Sequence, residues 1–225
     1  MKFEVPAPLP TTWLCKPVES AASGVDILAD GRVFCWIEHE ILNGVTPEML
    51  VWWFSHLEGE VEIDGARYDR YRVWHPRDHL FAEYVKRNAD GTVGVGSVIH
   101  LAEMFDANPK YLIHIFTEIV KLDETGYIHQ PRMHGLRLAE MEYAFEPVAG
   151  GTKYRNSLTF GIKGRLGRLL NPLLRRFFFD EKRGRAWLKH NIEEVGNFEF
   201  FLPKLFESEN ERTALNKKIS VQAAA

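Results

Sequence analysis

A histidine and a glutamate four residues apart, His190 and Glu194, are the clearest candidates for chemistry in this sequence. On a helix this spacing places the two side chains one above the other on the same face. That face is otherwise apolar, with Trp187, Phe198 and Leu205 in the same stripe. Burying an imidazole and a carboxylate costs free energy unless a partner compensates them, and a divalent metal ion suits both residue types. The pair alone leaves two alternatives open, a buried His–Glu hydrogen bond or a stripe that turns and leaves both residues in water.

Further candidates lie at the ends of predicted strands. Residues 68–74 predict a strand that runs into the segment from His75 to His79, where Pro76 favours a strand end or a loop. Residues 93–103 predict a strand that carries Glu103 at the end of its apolar face. A carboxylate in that position is a candidate ligand, although Asp106 lies close by in the sequence. The segment with two histidines is also compatible with an ordinary solvated loop.

The remaining pattern predicts an α+β domain. Thr46, Pro47 and Glu48 form a helix start, Gly150-Gly151 forms a hairpin turn, and the pattern becomes helical from Gly164 onward. We expect six or seven antiparallel strands curved around one long C-terminal helix, the helix-grip fold of START domains and birch-pollen allergens, which encloses a ligand cavity. The predicted organisation is an extended arm over residues 1–30, a single domain over 31–206 and a polar tail over 207–225.

In such a fold the separate candidates come together. His190 and Glu194 would project from the helix, and His75 and Glu103 from ends of the sheet that face it. Two imidazoles and two carboxylates are a suitable ligand set for one divalent ion, and zinc fits them best. Strand 153–162 would also point Tyr154 and Asn156 inward, where they would be either hydrogen-bonded core residues or part of the site.

Composition narrows the class of partner. The net charge of −3 gives no general attraction to nucleic acid, and the two cysteines favour a reducing, cytoplasmic compartment. No apolar run is long enough to span a membrane, and no P-loop, dinucleotide fingerprint or nucleophile elbow is present. The basic amphipathic stretch 163–185 is interpreted as a solvated helix face rather than a membrane contact. The oligomeric state is open, and aromatic residues in the arm and first helix, which we expect to be exposed, are compatible with a homodimer.

Three segments resemble one known family, the diacetylphloroglucinol hydrolases and the related phloretin hydrolases. They are residues 47–54 (PEMLVWWF), residues 71–79 (YRVWHPRDH) and the His190-x-x-x-Glu194 pair. The resemblance implies a helix-grip fold and one zinc ion per chain, held at positions that match His75, Glu103, His190 and Glu194. It also implies hydrolysis of the carbon–carbon bond between an acyl carbonyl and a phenolic ring, with a small aromatic ketone as substrate.

The same resemblance implies roles for further residues. A positioned acid is needed to protonate the leaving ring, and order along the chain favours His134, with His79, Tyr68 and Tyr154 as other candidates. Substrate contacts are expected from Tyr143 and Asn156, and from Asp78, which stands where the family has a neutral amide. Two other functions of the same fold remain open, a metal-free carrier of apolar or aromatic ligands and a polyketide cyclase or aromatase.

Overall fold

The computed structural model describes residues 6–10, 15–133 and 136–223. Its first half contains β1 (Ala21–Ile27), β2 (Val33–His39), β3 (Leu42–Asn43), α1 (Pro47–Phe54), β4 (Glu60–Ile63), β5 (Ala66–Asp69), α2 (Arg70–Trp74), β6 (His79–Lys86) and β7 (Val98–Met104). Its second half contains β8 (Leu112–Asp123), β9 (Gly126–Met133), β10 (Leu136–Arg137), β11 (Ala139–Val148), β12 (Gly151–Phe160), α3 (Arg165–Phe178) and α4 (Glu181–Ala223).

One large antiparallel sheet holds most strands, in the order β1-β2-β12-β11-β9-β8-β7-β6, with β3 and β10 attached to β12 and β9. Strands β4 and β5 form a separate hairpin. Helix α4 lies against this sheet and buries Val195, Phe198 and Leu202 almost completely. The predicted α+β helix-grip fold is therefore confirmed. In the described part of the chain no helix is both long and apolar enough to cross a bilayer.

An aromatic cluster fixes the helix against the sheet. Phe198 of α4 contacts Trp53 of α1 edge-on, with ring centroids 6.0 Å apart, and stacks on Trp74 at 5.3 Å. Phe54 contacts Trp74 edge-on and stacks on Tyr127 of β9. Edge-to-face and offset contacts of this kind add to the free energy of burying the rings. The cluster holds α1, α2, α4 and the sheet in one fixed arrangement.

The chain reverses direction just before the histidine segment. Asp69 ends β5, and its carboxylate accepts the backbone N–H of Arg72 at 3.1 Å. An N-cap of this type starts a helix, so the predicted strand over 68–74 is wrong beyond Asp69, and residues 70–74 form α2 instead. The segment from Tyr71 to His79 is thereby folded back toward α4.

Two boundaries differ from expectation. Residues 21–27, expected within the arm, pair with β2 as an edge strand, from Ala21 opposite His39 to Ile27 opposite Val33. Helix α4 also runs through the predicted polar tail as far as Ala223. Residues 21–27 form a strand through backbone pairing, which needs no apolar periodicity. The polar residues after 206 include good helix formers, which continue a helix that has already started.

Candidate metal centre

Four side chains converge at the junction of α2, β6, β7 and α4. Strands β6 and β7 pair with His79 directly opposite Glu103. His79 Nε2 lies 3.7 Å from Glu103 Oε2 and 3.1 Å from Glu194 Oε2. His190 Nε2 lies 3.8 Å and 3.6 Å from the same two oxygen atoms. Each imidazole nitrogen therefore faces both carboxylates.

Backbone and side-chain contacts fix the orientation of His79. Its Nδ1 lies 2.8 Å from the carbonyl oxygen of Tyr71 and its ring stacks on the Tyr71 ring at 3.9 Å. A carbonyl oxygen can only accept, so Nδ1 donates and the lone pair remains on Nε2. Burial, followed by the charges of His190 and His75, holds the pKa of His79 well below its usual value. His79 therefore presents a neutral nitrogen to the site, as a metal ligand requires.

His190 is oriented by a buried carboxylate. Its Nδ1 lies 3.1 Å from Asp78 Oδ2, and Asp78 in turn accepts the backbone N–H groups of Asp106 and Ala107, each at 2.9 Å. A carboxylate behind a ligating histidine is a common support in metal sites, because it fixes the ring and makes its other nitrogen a better ligand. Asp78 is fully buried and is not among the described residues that line the internal cavity beside the two carboxylates. Its carboxylate contacts His190 and the backbone of the 105–107 turn, and the expected contact with substrate stays a prediction.

The negative charges of the cluster favour a positive charge at its centre. Burial opposes protonation of His190, but the hydrogen bond to Asp78 and the charges of Glu194 and Glu103 raise its pKa to about 9. Burial also raises the pKa of Glu194 well above its usual value, although His190 opposes this. The carboxylates thus hold a proton on a buried imidazole, at the place where a metal ion would supply the positive charge.

The ligand atoms fit a small divalent ion. The four nitrogen-to-oxygen distances run from 3.1 to 3.8 Å. In a tetrahedral zinc site with bonds of about 2.0–2.2 Å, neighbouring ligand atoms are about 3.4 Å apart. His79 Nε2 and His190 Nε2 are buried and have no hydrogen-bond partner in the described part of the chain. Donor types, spacing and unpartnered nitrogen atoms all agree with a metal site.

His75 occupies a different position from the one expected. Its Nε2 lies 3.1 Å from Glu193 Oε2 and 3.6 Å from Asp78 Oδ2, and its ring stacks on His190 at 4.6 Å. His75, Asp78 and His190 also form a group whose potential ligand atoms lie within 4.8 Å of one another. His75 Nε2 is hydrogen-bonded to Glu193, whereas His79 Nε2 has no hydrogen-bond partner among the described residues and faces Glu103 and Glu194.

Glu103 rather than Asp106 lies at the centre. Glu103 Oε2 accepts the hydroxyl of Tyr71 at 2.7 Å, which holds it toward both imidazoles. Asp106 is half exposed and pairs with Lys189. Its backbone has a positive φ of 58° and serves the turn that binds Asp78. Glu103 therefore lies within 4 Å of both imidazole nitrogens, whereas the Asp106 carboxylate pairs with Lys189.

The centre opens into a narrow internal cavity, here called the central cavity. Its walls include both carboxylates and a set of aromatic and imidazole side chains: Phe54, Tyr71, Trp74, Tyr127, His129 and Tyr143. The volume is about 30 Å³, enough for one or two water molecules. A phenolic ring needs more room, so wall side chains must move to admit one.

A second cavity of about 90 Å³ adjoins the first, here called the apolar cavity. Glu103, Ile115 and Met141 belong to the walls of both cavities. The rest of its lining is almost entirely apolar and reaches Phe178 and Arg183 near the start of α4. Movement of Ile115 and Met141 would join the two spaces.

Of the other residues expected at the site, some lie at the central cavity and others lie away from it. Tyr143 lines the central cavity. Tyr154 is fully buried beside it, and its hydroxyl has no hydrogen-bond partner among the described residues. Asn156 donates to Asn191 at 2.7 Å and contacts His39, as a satisfied core amide. Tyr68 packs on the main core from the small hairpin and does not line the cavity. His134 lies outside the described residues.

Several cavity residues were not singled out from the sequence. Tyr71 binds Glu103 through its hydroxyl and His79 through its backbone carbonyl oxygen. Its position eight residues before His79 is the sequence feature that could have indicated this role. Trp74 lines the cavity, and its indole N–H has no hydrogen-bond partner within the described ranges. His129 also lines the cavity and shares a 2.7 Å hydrogen bond with the Thr117 hydroxyl. Burial lowers the pKa of His129 to about 3, so its ring is neutral near pH 7.

The chain was also compared with solved structures, curated proteins and family models. Solved structures with detectable similarity include a START superfamily protein from Mycobacterium smegmatis, at 13% identity over 73% of this chain and 94% of that one, with a TM-score of 0.47. A protein from Rhodobacter sphaeroides has 13% identity over 82% of this chain and 99% of that one, with a TM-score of 0.47. Ara h 8.0201 has 15% identity over 75% and 98%, with a TM-score of 0.36.

No curated protein gave a significant match. The model of the DAPG hydrolase PhiG domain family matches residues 11–105, a stretch that contains α1, the histidine segment and Glu103. The predicted resemblance to the family of diacetylphloroglucinol and phloretin hydrolases is therefore confirmed, on residues that include half of the candidate metal centre.

Proposed function

We propose that this protein is a zinc-dependent hydrolase that cleaves the carbon–carbon bond between an acyl carbonyl and a phenolic ring. The family match supports a hydrolase, and the buried cluster supports a metal. The proposed ligands are His79, Glu103, His190 and Glu194, with one ion per chain. His79 takes the place that the sequence had given to His75.

The observation that carries the proposal is the pair of buried, unpartnered imidazole nitrogens. His79 Nε2 and His190 Nε2 both face Glu103 and Glu194 at ligand-to-ligand spacing. Leaving such atoms without partners in an apolar interior is costly, so they are expected to bind something. A metal-free ligand carrier or a cyclase of the same fold has no need for this arrangement, and the unpartnered nitrogens favour the hydrolase.

Hydrolysis of an acylphenol is balanced by one water molecule. Its oxygen joins the carbonyl carbon, the bond to the ring breaks, and the ring carbon takes the electron pair and a proton. The products are a carboxylic acid and the deacylated phenol. A bound zinc ion supplies Lewis acidity and water of lowered pKa at this point.

The protein's own side chains bind and orient the substrate. Phe54, Tyr127 and Tyr143 form an aromatic wall that accepts a flat ring and excludes water. The unpartnered indole N–H of Trp74 is placed to donate to a phenolic or carbonyl oxygen. His129 stays neutral, so it contributes a hydrogen bond to a phenolic oxygen rather than a charge.

His79 no longer fits the role of acid. Its Nδ1 is bonded to the Tyr71 carbonyl and its Nε2 faces the two carboxylates, so neither nitrogen is left for substrate. His134 stays a prediction for the group that protonates the ring. The phenolic hydroxyls of the substrate offer a second proton source, because the ring can pass through its keto form.

The test combines metal analysis with a product assay on the full chain. We expect about one zinc per chain, and release of acid and deacylated phenol from diacetylphloroglucinol or phloretin that stops after chelation. Glu103→Gln should weaken zinc binding far more than Asp106→Asn, a matched control on the neighbouring turn. A chain that binds no zinc, or the reverse order of the two variants, would refute the proposed centre. Zinc binding without any cleavage would refute the reaction but not the centre.

A further inference from the structure

Helix α3 exposes the face that an amphipathic helix normally buries. Large apolar side chains recur every three or four residues along it and so form a single stripe. Their exposed fractions are high: Leu166 59%, Leu169 75%, Leu170 37%, Leu173 55% and Phe177 68%. We call these five residues the α3 stripe. Isolated surface leucines are ordinary, but a continuous stripe on one helix indicates a contact surface.

The opposite side of α3 fixes this orientation. Asn171 is fully buried, and its side chain accepts the N–H of Ile162 at 2.8 Å and donates to the carbonyl oxygen of Asp30 at 2.7 Å. A Cβ at Gly167 would lie 1.8 Å from the carbonyl oxygen of Ile162, so the helix approaches the body closely there. The helix therefore binds the body through Asn171, the close approach at Gly167 and the partly buried Leu174, and it holds its stripe outward.

Positive charge accompanies the stripe. The stretch from Lys163 to Phe179 contains five Lys and Arg residues and no Asp or Glu, in a chain with a net charge of −3. On the helix, Arg165 and Arg176 fall beside the stripe and are exposed. Long cationic side chains in this position reach past an apolar contact to negative groups above it.

We propose that α3 docks on a membrane surface that contains anionic lipid. The stripe would enter the boundary between headgroups and acyl chains, and the flanking arginines would meet lipid phosphates, as in other interfacial helices. The sequence alone favoured a solvated helix face, because it did not show which side α3 turns to the body. A second copy of this chain fits less well, since a two-fold contact would bring the same cationic patch against itself.

Docking in this way would place a cavity mouth at the lipid surface. Phe178, at the end of α3, and Arg183 line the apolar cavity that reaches Glu103. On the proposed function, an apolar aromatic ketone dissolved in the bilayer would enter from that side. The docking itself does not depend on the reaction and is tested without it.

The experiment is co-sedimentation of the full chain with vesicles of phosphatidylcholine alone or mixed with phosphatidylglycerol. We expect binding to the mixed vesicles only, weakened by salt because the attraction is partly electrostatic. Leu169→Gln and Phe177→Gln should each weaken binding by about tenfold or more, since each removes one large side chain from the apolar contact. Leu215→Gln is the matched control, because Leu215 is 57% exposed on α4, outside the stripe.

Three results would overturn the proposal. The first is an unmodified chain that does not bind the mixed vesicles. The second is unchanged binding by the two stripe variants. The third is a stable dimer, seen by light scattering, that the stripe variants abolish, which would assign the stripe to self-association.

Discussion

Removing His79 should strongly weaken zinc binding at the proposed centre. The free energy of zinc binding to a structural site with four ligands is about 10–16 kcal/mol, so one ligand contributes roughly 2.5–4 kcal/mol of it. His79→Ala is therefore expected to lower zinc affinity by about 10²–10³-fold. The estimate assumes that His79 Nε2, which lies 3.1 Å from Glu194 Oε2, is a direct ligand.

His75→Ala is the informative comparison. His75 is as fully buried as His79 and lies four residues before it, so the two variants remove similar volume. Its Nε2 contacts Glu193 and its ring supports His190 from behind. Removing a group that only supports a metal ligand lowers metal affinity by about 10–100-fold. For His75→Ala we expect the lower end of this range, because Asp78 still orients His190.

The assay is competition for zinc with a chromophoric chelator, with circular dichroism to confirm that each variant is folded. Thermal unfolding with and without zinc gives a second readout, because a ligand that binds only the folded state raises its stability. If His75→Ala loses zinc while His79→Ala keeps it, the assignment from the geometry is refuted and the one from the sequence is restored.

Three further outcomes follow from single contacts. Asp78→Asn should lower zinc affinity by about 10–100-fold, since it removes the charge behind His190, and the same chelator titration measures it. Burial holds the pKa of His129 at about 3, below the roughly 6.5 of an unfolded chain, so protons bind the unfolded state more strongly between those values. Its contribution to stability should fall by about 1.4 kcal/mol per pH unit on acidification below pH 6.5, and urea unfolding of His129→Gln should lack that slope. Tyr154→Phe should leave the free energy of unfolding unchanged or raise it by about 1 kcal/mol, because the buried hydroxyl has no partner among the residues that the structure describes. A clear loss of stability would show that this hydroxyl is hydrogen-bonded.

The helix-grip fold could be predicted because its signals are local. The glycine hairpin turn and the apolar stripe of α4 depend on spacing along the chain alone; both are present, with the turn at residues 149–150, one position earlier than expected. The break between β5 and α2 was missed because residues 68–74 are rich in residues that favour strands. One carboxylate at Asp69 outweighs that preference by capping the helix.

The candidate site was predicted in its composition but not in every assignment. The His190 and Glu194 pair follows from helical spacing, and the structure places Glu103 within 4 Å of His190, while the ligand role of all three stays a prediction. The choice between His75 and His79 depends on how α2 folds back and on the pairing of His79 with Glu103 across β6 and β7. A contact between segments that are distant in the sequence cannot be predicted from the spacing of apolar residues within either segment. The support of His190 by Asp78 is likewise a tertiary contact.

The size of the central cavity has a kinetic consequence. At about 30 Å³ it is far smaller than the few hundred Å³ that sites for ring-sized ligands occupy. On the proposed function, substrate would bind a minor, expanded conformation, and its apparent affinity would be the intrinsic affinity reduced by the fraction of molecules in that state. The observed binding rate would then level off at high substrate concentration, at the rate of expansion. Met141 and Ile115 line both cavities, and their rearrangement would limit the rate of expansion.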